Sequence, residues 1–306
     1  MSLADESAKE AAEESAIKAA ISPFDISPSR LRIKKVARWL AVGLGRSLPR
    51  RRDVGDGSVR VLTYHRFGES RLDPCCLTPQ AFSEQLDWLT DHASLLTPDR
   101  FDAVMQGKQA APANAILITI DDGHESVSTH ALPALDRRGL KAVLFVSPAL
   151  VGSANTLDGS DAERFMDWNA LSAAAANGHT IASHGYSHRS LGRLPLSDAV
   201  NEIERAGTVL LDKLGGAGEP FFSFPFGTRA DYSTALADRL AERGLRYCFT
   251  SVHGRCLPRP KSVLLPRIKI EGGNEQDLFP HIVRGCIDHW RFVDSALFLL
   301  QQRGRM

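Results

Sequence analysis

From Val59 onward, short runs of β-branched and aliphatic residues alternate with longer stretches in which apolar positions recur every three or four residues. The short runs read as strands at Val59–Tyr64, Ala115–Ile120, Lys141–Val146, His179–Ser183, Phe221–Phe224, Arg246–Thr250 and Val263–Ile270. Between them the spacing predicts helices at Pro79–His92, Val127–Arg138, Asn169–Asn177, Ser197–Leu214 and Tyr232–Arg243. Repeated βα units of this kind predict an α/β fold, either a barrel or an open parallel sheet.

Before this region the pattern changes. Ile33, Val36, Ala37, Leu40 and Leu44 form one helical stripe, with Arg30, Lys34, Lys35 and Arg38 largely off it. Gly55 and Gly57 then mark a linker, dividing the chain into an N-terminal segment, 1–57, and a larger domain, 58–306. Residues 1–22 carry five acidic and two basic side chains, whereas Arg30 to Arg52 carries nine basic ones and no acidic one. Two readings of residues 30–52 follow. A basic amphipathic helix can meet an anionic membrane, with Trp39, Leu40 and Leu44 entering the interface, or it can dock its apolar stripe on its own domain. The apolar piece Trp39 to Gly45 is far short of the ~20 residues a membrane span needs.

Composition narrows the classes. The 306 residues carry a formal charge of only +1, which argues against a surface built wholly for nucleic acid. Five cysteines, an odd number with no Cys-x-x-Cys spacing, favour a reducing compartment over a disulfide framework. The acidic, alanine-rich start does not read as a secretory signal, so the expectation is a cytoplasmic protein, peripheral at the inner face of the membrane if residues 30–52 bind lipid. No Gly-x-Gly-x-x-Gly follows a strand and no phosphate loop is present.

Two strand ends carry candidate chemistry. The run Ile116–Ile120 ends in Asp121-Asp122-Gly123, and His179–Ser183 ends in His184-Gly185-Tyr186-Ser187-His188. Parallel α/β folds place reactive groups at strand C-termini. A glycine turn can bring both carboxylates to one pocket, and histidines four apart share a face if the chain enters a helical turn there. Two imidazoles and a carboxylate leave open positions on a divalent metal. Taken singly, each motif is equally a turn or a surface pair.

Together with Thr119-Ile120 before the first and Ser183 before the second, these motifs resemble the polysaccharide deacetylase family, also called carbohydrate esterase family 4. The resemblance runs from about Val59 to Ile270 and includes Leu77-Thr78-Pro79, Trp168 and Phe224-Pro225-Phe226-Gly227. It implies a distorted (β/α)7 barrel, here with an N-terminal helical extension, that hydrolyses acetyl groups from N- or O-acetylated carbohydrate. It further implies Asp121 as general base and Asp122, His184 and His188 as ligands of a divalent metal, most often zinc. The implied substrate is an oligosaccharide or polysaccharide, and a membrane-bound helix would suit a lipid-linked glycan precursor.

The chain departs from the family pattern twice. Many relatives have arginine at the position of Ser223, where it holds the catalytic aspartate; Arg267, in Leu265-Pro266-Arg267-Ile268, is the expected replacement. The usual late leucine-x-histidine, source of the general acid, is not evident after Ile270. His65 is preferred for that role, because Tyr64-His65 at a strand end resembles the poly-N-acetylglucosamine deacetylase subgroup; His253 is the alternative. Pro225, Phe226, Tyr186 and His253 are candidate substrate contacts, with Phe224 and Trp168 as further aromatic walls. The competing functions are hydrolysis of another amide, such as a cyclic ureide or imide, and a noncatalytic carbohydrate-binding relative.

Overall fold

A computed structural model of the chain describes residues 28–47, 57–69, 73–155, 163–216, 218–272 and 275–295. Among the described residues, nine parallel strands form one sheet: β1 (Val59–Tyr64), β4 (Ser94–Leu95), β5 (Ala115–Ile120), β6 (Val143–Val146), β9 (Thr180–Ser183), β10 (Phe221–Ser223), β11 (Tyr247–Phe249), β12 (Leu264–Leu265) and β13 (Ile268–Lys269). Two small pairs lie outside it, β2 (Arg66–Phe67) with β3 (Cys76–Leu77) and β7 (Ala154–Asn155) with β8 (Glu163–Arg164).

The strand order is β12-β11-β10-β9-β6-β5-β1-β13, with β4 beside the first half of β5. Its two outermost strands, β12 and β13, are separated in sequence only by Pro266 and Arg267. A two-residue link spans at most ~10 Å, so the sheet must curl until its ends nearly meet. The result is the curled barrel of parallel strands with helices outside that the motifs implied.

The run Val263–Ile270 is therefore not one strand. Proline at 266 donates no backbone hydrogen bond, and the chain changes partners there, from β11 to β1. Other differences are local. The helix expected over Val127–Arg138 opens with a π-helical turn, Val127–Ala131, before its α-helical part, Leu132–Asp136. Pro98–Met105 and Glu275–Val283 are helices that the spacing did not announce. The first of these is capped by the Thr97 hydroxyl, which accepts from Arg100 N–H at 3.3 Å.

Both faces of the sheet are dry, as a parallel sheet requires. All six residues of β1 and all six of β5 are buried. Val59, Val61, Ala115, Leu117, Val143, Phe145, Phe221, Tyr247 and Phe249 pack together on the concave side, where Phe101 and Val104 join them. Leu62, Ile116, Ile118, Leu144 and Ile181 face outward against Phe82, Leu86, Leu135, Leu171 and Ile282 from the surrounding helices.

The N-terminal helix, Pro28–Ser47, packs against the barrel rather than standing apart. Buried Arg38 donates to Glu271 Oε2 at 3.0 Å, and Ala41 and Val42 are buried. Gly45 lies so close to the 286 backbone that an added Cβ would fall 1.7 Å from the Cys286 carbonyl oxygen. Residues 48–56, with the Arg50–Arg52 run, lie outside the described residues, as do residues 1–27.

Candidate active site

Asp121 follows β5 and continues its inward alternation after Ala115, Leu117 and Thr119, while its N–H still bonds to Tyr64 O at 2.9 Å. The chain then turns sharply. Asp122 and Gly123 have φ of 73° and 75°, and a Cβ on Gly123 would meet Val146 Cγ1 at 2.8 Å. Glycine is needed at the second position for both reasons. This turn lets two adjacent carboxylates address the same rim.

Arg267, at the seam between β12 and β13, grips Asp121 with both ends of its guanidinium: one terminal nitrogen is 2.8 Å from Oδ1 and the other 2.7 Å from Oδ2. The second nitrogen also reaches Ser223 Oγ at 2.9 Å, and Nε donates to Thr250 O at 3.1 Å. The pair is almost fully buried. Burial would raise the Asp121 pKa, but the Arg267 charge, joined by His184 and by the hydrogen bonds from Arg267, outweighs it and holds the carboxyl below its ordinary value. At 223, where the resemblance implies an arginine, the small serine side chain meets the Arg267 guanidinium, and the charge beside Asp121 comes from the seam instead of from β10.

His184 follows β9, and its Nδ1 is 2.7 Å from Ser223 O. That contact makes Nδ1 the protonated nitrogen and leaves the Nε2 lone pair facing Asp122. His188 reaches the same place without a helical turn. The loop bends through Gly185 (φ 74°) and His188 (φ 57°), and Glu202 anchors it by accepting from Ser187 N–H and Oγ–H, both at 2.9 Å. Glu202 carries no motif signal that sequence spacing reveals.

Asp122 Oδ1 lies 3.3 Å from His184 Nε2 and 3.2 Å from His188 Nε2, and the ligand atoms of the three residues all fall within 4.8 Å of one another. Two donors each ~2.1 Å from a shared ion and set roughly 100° apart would show such separations. A lone pair of neutral imidazole facing a carboxylate is repulsive unless a cation or proton lies between them. The donor set, its spacing and its tautomer fit a divalent metal. Burial opposes ionisation of Asp122, yet its contacts with the His124, His184 and His188 rings hold its pKa well below the ordinary value.

His65, just past β1, comes close enough to Asp122, Asp121, Arg267 and Lys269 to feel their charges. Burial pushes its pKa down to about 4. Its Nδ1 is buried without a hydrogen-bond partner among the described residues. His253 is placed differently: its backbone N–H bonds to Asp294 Oδ2 at 3.0 Å, and its Nε2 is 3.4 Å from Asp288 Oδ1. Asp288 in turn takes both guanidinium ends of Arg60, at the start of β1. The structure thus groups His65, and not His253, with the two aspartates.

Among the aromatic candidates, Phe226 (φ 61°) stands edge-on to the His188 ring at 4.9 Å. Pro225 is buried beside Gly185. The Tyr186 ring lies under the Arg205 guanidinium at 3.6 Å, with its hydroxyl accepting from Arg205 at 2.9 Å. Phe224 is fully buried against Phe222 and is core, not a substrate wall; Trp168 is half-buried against the outer core.

His124 has no spacing in the sequence that marks it out. Its Nε2 is 3.3 Å from Asp122 Oδ2, and its ring stacks on Phe165 with centroids 4.9 Å apart.

The profile of the family described as polysaccharide deacetylase matches residues 108–248. A curated relative, the poly-beta-1,6-N-acetyl-D-glucosamine N-deacetylase of Staphylococcus aureus, is 22% identical over 255 residues, covering 77% of this chain and 85% of the relative. Among solved structures, IcaB from Ammonifex degensii superposes with a TM-score of 0.64 at 22% identity, covering 76% of this chain and 97% of that one. The Streptococcus pyogenes deacetylase PplD, in complex with acetate, gives 0.62 at 18% identity, covering 74% and 98%. The match over residues 108–248 takes in both motifs, and the fold is that of these deacetylase structures.

Proposed function

We propose that the protein hydrolyses N-acetyl groups of a polysaccharide or oligosaccharide of the poly-N-acetylglucosamine type, and that it requires a divalent metal, zinc by the chemistry of the donor set, held by Asp122, His184 and His188. The observation that carries the reading is the convergence of the buried Asp121–Arg267 pair with that ligand set. A metal in this site supplies Lewis acidity toward an amide carbonyl and toward water.

The chain's own residues do the rest. Water adds to the acetyl carbonyl carbon, the C–N bond breaks, and acetate and a free amine leave. Asp121, kept ionised by Arg267, accepts the proton of the attacking water. His65 hands a proton to the departing nitrogen. Its depressed pKa means that the imidazole starts the cycle neutral, so the proton it donates is the one Asp121 takes from the attacking water, relayed during turnover, and its unpartnered Nδ1 is the atom a substrate would satisfy. Phe226, beside His188, offers the flat apolar surface that a sugar ring packs on.

A lipid-linked glycan at the inner leaflet is the substrate form that a cytoplasmic enzyme touching anionic membrane through residues 30–52 would meet. The test is acetate release from a panel of acetylated glycans, measured after chelation and again after reloading with zinc. Metal-dependent release that Asp121→Asn abolishes is the expected result. Glycan binding without release would favour a noncatalytic carbohydrate-binding protein, and release of ammonia or an amino acid from a cyclic ureide or imide would favour the other amide chemistry.

A further inference from the structure

The N-terminal helix is docked by the face that its sequence pattern assigns to solvent. At 100° per residue, Arg38, Ala41, Val42 and Gly45 fall on one side, and Ile33, Val36, Leu40 and Leu44 fall opposite, flanked by Trp39. The first group meets the barrel; Arg38 is 6% exposed and Val42 2%. The second group faces outward, with Ile33 69%, Leu40 70% and Leu44 57% exposed and Val36 and Trp39 about half.

Nothing about this arrangement lets the helix roll over. A buried Arg38–Glu271 ion pair fixes one turn, and the contact between Gly45 and the Cys286 carbonyl fixes another, where any side chain would clash. The apolar stripe is therefore held outward by contacts on the opposite side of the same helix.

We propose that this outward face, Ile33, Val36, Trp39, Leu40 and Leu44, is a docking surface for an anionic lipid bilayer. The inference deepens the membrane contact suggested for residues 30–52 and stands apart from the catalytic reading. Charge selects the occupant. Besides Arg38, which Glu271 neutralises, the segment from Arg30 to Arg52 carries eight Lys and Arg residues and no acidic one, so a second copy of the helix would bring like charges together, whereas an anionic leaflet attracts them. Large apolar side chains with a tryptophan at the flank are what an interfacial helix inserts. Because Arg38 ties the helix to Glu271, just beyond β13, lipid binding would hold the catalytic barrel at a fixed attitude to the bilayer.

The test is co-sedimentation of the full chain with phosphatidylcholine vesicles, with and without phosphatidylglycerol. The expected result is at least about tenfold stronger partitioning onto the anionic vesicles, weakened by salt. Leu40→Asn/Leu44→Asn should lose about tenfold of that partitioning while keeping the wild-type melting temperature and the wild-type rate on a soluble acetylated oligosaccharide. Absence of vesicle binding by the wild type, or binding that the double substitution leaves intact, overturns the proposal. A wild-type dimer that the substitution converts to monomer overturns it in favour of a second copy. Vesicle binding as expected from a protein that releases no acetate would sink the deacetylase reading and leave this one standing.

Discussion

His124 Nε2 lies 3.3 Å from Oδ2 of Asp122, the carboxylate oxygen that does not face His184 and His188. The two oxygens thus have separate duties, one turned to the imidazoles and the other held by a histidine that Phe165 braces from behind. A ligand oriented in this way loses less freedom on binding an ion.

Replacing His124 should accordingly weaken the metal without removing it. His124→Ala is expected to cost about 10- to 100-fold in zinc affinity, read by competition with a chromogenic chelator, and His124→Gln should restore part of it by donating from its amide. Unchanged affinity in both variants would leave His124 a packing residue only.

The grip of Arg267 on Asp121 supports a second expectation. Removing one partner of a buried ion pair strands the other, at a cost of about 3–5 kcal/mol, so Arg267→Ala should be strongly destabilised in denaturant unfolding. In whatever fraction folds, the Asp121 carboxyl loses the charge that holds its pKa down, and the acid limb of the pH–rate profile moves to higher pH. Arg267→Lys keeps the charge but not the two-pronged contact, and should lie between wild type and alanine.

What could be read in advance was whatever is local. Strands such as β1 and β5 announce themselves because their residues, Arg60 apart, are apolar, aromatic or β-branched, and the acidic and histidine motifs follow directly on such runs. Arg267 was found only by asking what replaces a charge missing at Ser223, since the residues lie 44 apart in sequence. The break at Pro266 escaped because the residues on either side read as one strand while pairing with opposite edges of the sheet. For the N-terminal helix the pattern left two readings, and the one that docks the apolar stripe on the domain is not what forms. An apolar stripe implies burial only if a protein surface covers it, and here a buried arginine and a close glycine decided which face docked.

His65→Ala should depress acetate release by about 10²–10⁴ with metal stoichiometry unchanged, since a proton donor is lost and no ligand is. The signature that separates it from a packing defect is substrate dependence. An acetyl ester with a good leaving group needs no proton on departure, so it should lose far less rate than an amide. Equal losses on both substrates would remove His65 from the donor role.

The last expectation concerns stability at the other end of the barrel. His179 precedes β9, with Nδ1 accepting from Ala142 N–H at 3.2 Å and Nε2 at 3.1 Å from Asp136 Oδ1. One nitrogen accepts, so the ring is built into the fold as the neutral tautomer. Burial lowers its pKa, and the attraction of Asp136 only partly offsets this. Below its unfolded value of about 6.5, the unfolded chain takes up a proton that the folded chain resists. The contribution of His179 is therefore complete above that pH and fades as pH falls toward the folded pKa. His179→Gln, which does not titrate, should be less stable than wild type at about pH 8, and the gap in melting temperature should narrow by about pH 5.5. A gap that widens on acidification would mean that the histidine is charged in the fold and that the ion pair with Asp136, not the hydrogen bond from Ala142, sets its state.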